Sequence, residues 1–157
     1  MTAPTIVTVA SEAERAACFA IRSAVFCDEQ GVAPEAELDE HDATATHLLA
    51  LVDGRPVGAM RWRVVGPGAG SGAGSGKAKI ERVAVAHVAR GQGIGAALMA
   101  VAMRQAAEAG LAEAVLHAQT SAEAFYLRLG FVTEGGIFLE EGIEHVRMRS
   151  TLRREEA

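Results

Sequence analysis

Ile6-Val7-Thr8-Val9 is a short β-branched run, the composition of a strand. Ser11 follows, with Glu14 three residues on. The hydroxyl suits a helix-start N–H and the carboxylate can reach back, a reciprocal cap. Apolar positions at Ala17, Ile21, Ala24 and Val25 then recur at helical spacing. They predict a helix with one buried face that fades near Cys27, ahead of Gly31 and Pro34. Asp28 to Asp42 is polar and acidic. His47 to Val52 is apolar and ends at Asp53-Gly54, a pair suited to a two-residue hairpin turn. Pro56 to Val65 reads as the return strand, with Met60, Trp62 and Val64 on one side and Arg61 and Arg63 on the other.

Gly66 to Gly76 contains only Gly, Ala, Ser and one Pro, side chains too small to bury, so a flexible connector is expected. Lys79 to Val85 is the next strand. It leads into the glycine-rich turn Arg90-Gly91-Gln92-Gly93-Ile94-Gly95. A long helix follows, with Ile94, Leu98, Val101 and Ala102 on one face and Gly110 as its stop. Ala114 to His117 is a strand. Thr120 is expected to cap a further helix, with Glu123 as reciprocal carboxylate, Phe125 and Leu129 buried, and Gly130 at its end. Phe131-Val132 and Ile143 to Met148 close the chain as strands. The order β-α-β-β-β-α-β-α-β-β predicts one α/β domain over residues 1–157 on a mixed sheet.

Composition narrows the function. Of 157 residues 50% are hydrophobic but only 4% aromatic, so the core must be aliphatic and alanine-rich. A net charge of −5 argues against nucleic acid or an anionic membrane as partner, because both require clustered cations. Cys18 and Cys27 form no paired framework and read as free thiols in a reducing compartment. Met1 to Ala10 has no basic start or long apolar run, and no stretch reaches the roughly 18 apolar residues of a membrane span. A cytoplasmic protein is expected. Cys, His and Asp lack metal-ligand spacing, so no metal is expected.

Strand, glycine turn, helix is an arrangement that binds phosphate. Glycines let the backbone approach closely, and the first N–H groups of the helix point at the anion. Arg90 can add a cation. Gly91-x-Gly93-x-x-Ala96 also fits a loose dinucleotide pattern. Against a dinucleotide, the turn lies in mid-chain with room for one βαβ unit. His117 stands where the ribose-binding acid belongs, and the preceding strand Ile80-Glu81-Arg82 begins polar. No Lys-Ser/Thr follows the glycines, which excludes a kinase-type phosphate loop. A turn that only packs a helix on a sheet is the remaining alternative.

Three segments together carry a resemblance: Arg82-Val83-Ala84-Val85, Arg90-x-x-Gly93-x-Gly95 and Ala122-x-x-Phe125-Tyr126-x-x-x-Gly130-Phe131. In this order and spacing they resemble the GNAT superfamily of N-acetyltransferases. The flanks are similar to its small bacterial ElaA-like branch. These are Arg22-x-x-Val25-Phe26-x-x-Glu29-Gln30-Gly31-Val32, Glu37-x-Asp39-x-x-Asp42 with His47, Ala118-Gln119, and Gly142-Ile143-x-His145-Val146-x-Met148. The likeness runs from about Arg22 to Met148, and the Gly66–Gly76 connector departs from it. It implies a mostly antiparallel mixed sheet with helices on both faces. It also implies that two parallel strands, Lys79–Val85 and Ala114–His117, splay apart around acetyl-CoA or a related acyl-CoA. Arg90, Gly91, Gln92, Gly93, Ile94, Gly95 and Ala96 would hold the pyrophosphate. Val83 and Val85 would pair with the pantetheine arm, and Tyr126 would protonate the departing thiolate.

Transfer of an acyl group from a thioester to an amine requires a deprotonated amine, a polarised carbonyl, a protonated leaving group and tight positioning. Tyr126 is the candidate acid, and backbone N–H groups of Val83–Val85 the candidate oxyanion donors. Glu81 is the candidate base, or orients a basic water; its alternative is a structural pair with Arg82. His117 and His145 are other possible bases. Between Arg22 and Arg55 there is no Lys or Arg, while acidic residues are frequent. An acidic rim that attracts a cationic amine is expected there, against the alternative of a solvated loop. The expected acceptor residues are Glu29, Gln30, Glu37, Asp39, His47, Arg61, Gln119 and His145. The expected protein is a monomer or homodimer that acylates a small primary amine in a ternary complex. Its alternative is a non-catalytic acyl-CoA-binding module on the same fold.

Overall fold

Ser11 begins α1 (Glu12–Arg22) as its spacing from Glu14 requires. The Ser11 hydroxyl accepts from the Glu14 N–H at 3.1 Å, and the Glu14 carboxylate takes the N–H groups of Ala10 and Ser11. These coordinates are a computed structural model that describes residues 2–66 and 76–153. All but the two ends of the Gly66–Gly76 connector therefore lie outside the described residues. Instead of fading, α1 widens into a π-helical stretch, Ser23–Glu29. The wider turn rotates the side chains, so Ala24, expected on the buried face, is exposed while Val25 is buried.

Backbone pairing runs β1-β2-β3-β4-β5-β7-β6, a seven-stranded and mostly antiparallel sheet whose one parallel pair among the described residues is β4–β5. The chain divides into two compact units: Met1–Arg63 with Arg82–Ala102, and Val64–Glu81 with Met103–Ala157.

In the first unit β1 (Thr5–Thr8), β2 (Thr46–Val52) and most of β3 (Arg55–Val65) are antiparallel. Asp53 and Gly54, with φ of 50° and 77°, make the expected left-handed hairpin turn. On one face, Cys18, Ile21 and Val25 pack with Leu49, Ala59 and Ala84. On the opposite face α3 (Ile94–Glu108) begins, seated close on β3. A Cβ at Gly58 would lie 2.8 Å from Ile94 Cγ2 and 3.2 Å from Leu98 Cδ1. The acidic segment forms α2 (Pro34–Glu37) and a 3₁₀ turn, Glu40–Ala43. Arg61, expected to face away from the buried Met60 and Trp62, is itself buried. Both faces of β3 are covered at that point.

The second unit holds the start of β4 (Lys77–Val85), β5 (Glu113–Gln119), β6 (Val132–Glu140) and β7 (Ile143–Thr151). β7 pairs with β5 from Glu113↔Thr151 to Gln119↔His145, and β6 pairs with β7. Its core is largely small and aliphatic: Ala78, Ile80, Ala106, Ala114, Leu116, Ala118, Val146 and Met148, with Phe131. Thr120 does not cap α4 (Glu123–Arg128). A 3₁₀ turn, Thr120–Ala122, comes first, no side chain caps the helix, and the Glu123 carboxylate accepts from Thr133 Oγ1 instead. The later start rotates the helix, so Tyr126 is buried, while Phe125 and Leu129, expected there, are half-buried. Among the described residues no helix is long and apolar enough to cross a membrane.

Candidate active site

Within the acidic segment Asp28, Glu29, Glu35 and Glu40 are exposed, while Glu37, Asp39 and Asp42 turn onto arginines. Arg22 ends α1 on its buried side, and its guanidinium donates to Glu37 Oε1 at 2.6 Å and to Asp42 Oδ1 at 2.7 Å. Arg61 Nη1 donates to Asp39 Oδ1 and Asp42 Oδ1 at 2.7 and 2.8 Å. Arg82 reaches Asp39 Oδ2 at 3.2 Å and the Glu37 carbonyl at 3.1 Å. Arg22, Glu37 and Arg61 are at most 3% exposed. Three cations thus neutralise three carboxylates inside the first unit. Burial alone would raise the Asp42 pKa, but hydrogen bonds from Arg22, the Asp39 N–H and Arg61 outweigh it and hold the group well below the usual carboxylate range. The Arg61 hydrogen bond likewise holds Asp39 low. His47 Nε2 donates to the Asp42 carbonyl at 2.9 Å, and burial lowers its pKa. Glu37, Asp39 and Arg61, expected at the acceptor, are thus ion-paired inside this network, and His47, expected there too, is hydrogen-bonded to its backbone. Sequence reading counted the acids and missed that Arg22, Arg61 and Arg82 converge on them; the one hint was an arginine on the buried stripe of α1.

Arg82 also carries a φ of 57°, a left-handed conformation inside a strand. The pairing expected as its alternative, Glu81 with Arg82, does not form. Arg82 turns to Glu37 and Asp39, while Glu81 lies 3.8 Å from Lys79 Nζ.

After β4 the chain makes a 3₁₀ turn, His87–Ala89, and the glycine turn. Gly91 and Gly93 both have φ of 78°, a conformation glycine adopts without strain. A Cβ on either would meet no described atom within 4 Å, so the space over the turn is open. The Ala97 N–H donates to the Gly93 carbonyl at 3.0 Å, so the helix begins there. The N–H groups of Ile94, Gly95 and Ala96 consequently precede any carbonyl one turn back, the requirement for an anion site. Arg90 is positioned twice. Nε donates to the Val85 carbonyl at 3.0 Å, and Nη2 donates to Glu29 Oε2 at 2.9 Å. A residue expected on the cofactor and one expected on the acceptor are thus ion-paired. Gln30 is exposed at the end of the π-helical stretch.

In the second unit β4 and β5 stay in register for three pairs only, Ala78↔Ala114, Lys79↔Val115 and Ile80↔Leu116. Beyond Leu116, β5 continues to Gln119 with β7 on its other edge. Strand alternation places Val115, His117 and Gln119 on one face. His145, opposite Gln119, and Phe138, opposite His145, share it. So does Glu81, two residues past Lys79, the partner of Val115. His117 Nδ1 is 3.0 Å from Glu140 Oε1, and His145 Nε2 is 3.6 Å from Glu140 Oε2.

Tyr126 packs edge-on against Phe125 and Phe131, at 4.9 and 5.9 Å between centroids. Its ring is buried, and burial pushes its pKa up to about 12. No described residue hydrogen-bonds its hydroxyl, yet among the described residues no buried side-chain polar atom is left without a partner. The hydroxyl therefore opens to solvent. Cys18 and Cys27 are free thiols; burial raises the pKa of Cys18 to about 11.

Known proteins are similar to this chain over most of its length. The family described as Acetyltransferase (GNAT) domain matches residues 9–152. The uncharacterized N-acetyltransferase YjcF of Bacillus subtilis is 34% identical over 131 residues, 83% of this chain and 87% of that protein. The crystal structure of an acyl-CoA N-acyltransferase from Pseudomonas aeruginosa superposes with a TM-score of 0.76 at 32% identity, over 96% of this chain and 99% of the other. ElaA of Escherichia coli shares the fold, with a TM-score of 0.77 at 24% identity over 96% and 99%.

Proposed function

We propose that this chain, which belongs to the GNAT acetyltransferase family, transfers an acetyl group from acetyl-CoA to a small primary amine by direct attack in a ternary complex. The observation that carries this reading is the three-pair β4–β5 ladder. A parallel pair that stops inside a sheet leaves strand N–H and C=O groups in need of partners. The amides of a pantetheine arm are such partners. The open glycine turn fits a pyrophosphate for the reasons of backbone conformation and helix-start N–H groups given above.

In this reading Arg90 and the N–H groups from Gly91 to Ala96, with Gln92 at the turn, bind the pyrophosphate. Val83 and Val85 pair with the pantetheine arm and polarise the carbonyl. Tyr126 donates to the leaving sulfur. Glu29, Gln30, Gln119 and His145 contact the acceptor. Glu81 orients a water beside the amine. The protein acts in the cytoplasm as a monomer or homodimer, without a metal.

Two measurements test this. Acetyl-CoA is expected to raise Tm while NAD leaves it unchanged. With a panel of primary amines, acetyl-CoA is expected to release free thiol only when an acceptor is present. A Tm shift with no thiol release for any amine would favour the non-catalytic acyl-CoA-binding module, and no shift with acetyl-CoA would end the reading altogether.

A further inference from the structure

Resting on that acyltransferase reading, we infer that His117, oriented by Glu140, is the general base that takes the proton from the acceptor amine. His117 is the first residue of β5 beyond the last β4 partner, since Leu116 is the end of the parallel ladder. It stands where the ladder ends. A carboxylate only accepts hydrogen bonds, so the 3.0 Å contact with Glu140 Oε1 places the His117 proton on Nδ1. The lone pair of the neutral ring is then on Nε2, and no described residue hydrogen-bonds that atom. The side chain is 30% exposed, open enough to meet a substrate. The Phe138 ring, edge-on at 5.0 Å, holds the imidazole plane.

Glu140 Oε2 lies 3.6 Å from His145 Nε2. His145 is fixed by the hydrogen bond from Nδ1 to the Ile143 carbonyl at 2.7 Å and by stacking on Phe138 at 28°. Carboxylate, imidazole and free Nε2 form the same relay that orients a catalytic histidine elsewhere. The other charged groups sharing this face by register are Lys77, Lys79 and Glu81 on β4, Glu113 on β5, Glu134 on β6 and Arg147 and Arg149 on β7. Lys79 Nζ is 3.8 Å from Glu81, so that carboxylate already has a cationic partner. Imidazole as a class titrates near neutrality, where a general base works best.

The protons balance. The ammonium carries three and the amide product one. His117 Nε2 takes one and releases it to solvent; the other ends on the sulfur. The amine nitrogen bonds to the thioester carbonyl carbon, and the C–S bond breaks with its electron pair on sulfur.

The test compares His117→Asn, His117→Ala and Glu140→Gln with wild type. Asparagine keeps a donor near the Nδ1 position and removes Nε2. His117→Asn is expected to keep the Tm shift with acetyl-CoA, lose about 10²-fold or more in kcat, and lose the acid limb of the pH–rate profile. Added imidazole is expected to restore part of the rate of His117→Ala. Glu140→Gln is expected to lower kcat at least about tenfold with KM for acetyl-CoA unchanged, because the ring is no longer held in the working tautomer. Near-normal turnover in His117→Asn would overturn the assignment. Failure of the acyltransferase reading would show separately, as a wild type that acetyl-CoA does not stabilise. Nitrogen NMR decides the point without an acceptor: an Nδ1–H tautomer for His117, perturbed by acetyl-CoA, supports the base, and an Nε2–H tautomer rejects it.

Discussion

A phenol whose pKa burial has raised to about 12 is a reluctant acid. A thiol titrates near about 8.5, so full proton transfer from Tyr126 to a thiolate is uphill by on the order of 5 kcal/mol. In the proposed reaction Tyr126 would therefore work chiefly as a hydrogen-bond donor to the developing charge on sulfur. Tyr126→Phe keeps the ring against Phe131 and removes only that donor. Turnover is expected to fall by roughly 10²-fold while the acetyl-CoA Tm shift remains. The same pKa predicts no alkaline limb from Tyr126 below about pH 10, readable in a pH–kcat series. The site at this scale was partly legible. Tyr126 stands in a motif and can be read directly, whereas Glu140 stands in none. Only the hairpin register that turns it toward His117 and His145 gives it a role.

At the scale of elements, α3 is the piece whose placement decides cofactor binding in the proposed reading. Its first turn rests on Gly58 and its leading backbone turns through Gly91 and Gly93. Gly93→Val forces a β-branched side chain into a left-handed conformation, a strain of roughly 1–2 kcal/mol, and fills the open space above the turn. It is expected to abolish the acetyl-CoA Tm shift. Gly58→Val lies under the helix instead. It crowds Ile94 and Leu98 and is expected to lower stability by about 1–3 kcal/mol, measured by urea denaturation. A Gly93→Val protein that still responds to acetyl-CoA would remove the turn from the binding site. The helix starts at Ser11 and Ile94 were legible because capping and glycine chemistry are local. The π-helical stretch Ser23–Glu29 was not, because hydrophobic spacing does not announce a change of helical pitch.

Across the whole molecule, stability rests on carboxylates and a histidine that folding forces into one charge state. Asp39 and Asp42 have folded pKa values below their unfolded ones. Their contribution is complete above about pH 4, the unfolded aspartate value, and is lost as pH falls below it toward the folded values. His47 is also depressed, by burial. Its neutral form is the one that fits, so its contribution is complete above about pH 6.5 and is lost as pH falls from there. Urea midpoints are thus expected to decline in two stages on acidification. His47→Gln should flatten the upper stage. Asp42→Asn leaves Arg22 and Arg61 buried with one partner fewer, and at pH 7 is expected to cost about 3–5 kcal/mol. A midpoint unchanged in Asp42→Asn would show that the network adds nothing to stability.

The sequence by itself determined what depends on neighbours in the chain: the strand and helix order, the Ser11 cap, the Asp53-Gly54 turn, the glycine turn and the family motifs around Arg90 and Tyr126. Those features follow from local sterics and hydrogen bonding, which a few consecutive residues specify. The tertiary structure alone decided which charges meet. Arg61 and Asp39 are 22 residues apart in sequence and Arg82 and Asp39 43, yet they share one ion-pair network. His117 and Glu140, 23 apart, meet only through the pairing of β5, β6 and β7. A charge reads the same in a sequence whether it faces solvent or an opposite charge. Only folding, by removing the water around it, selects the partner and with it the difference between an acidic rim and an ion-pair network.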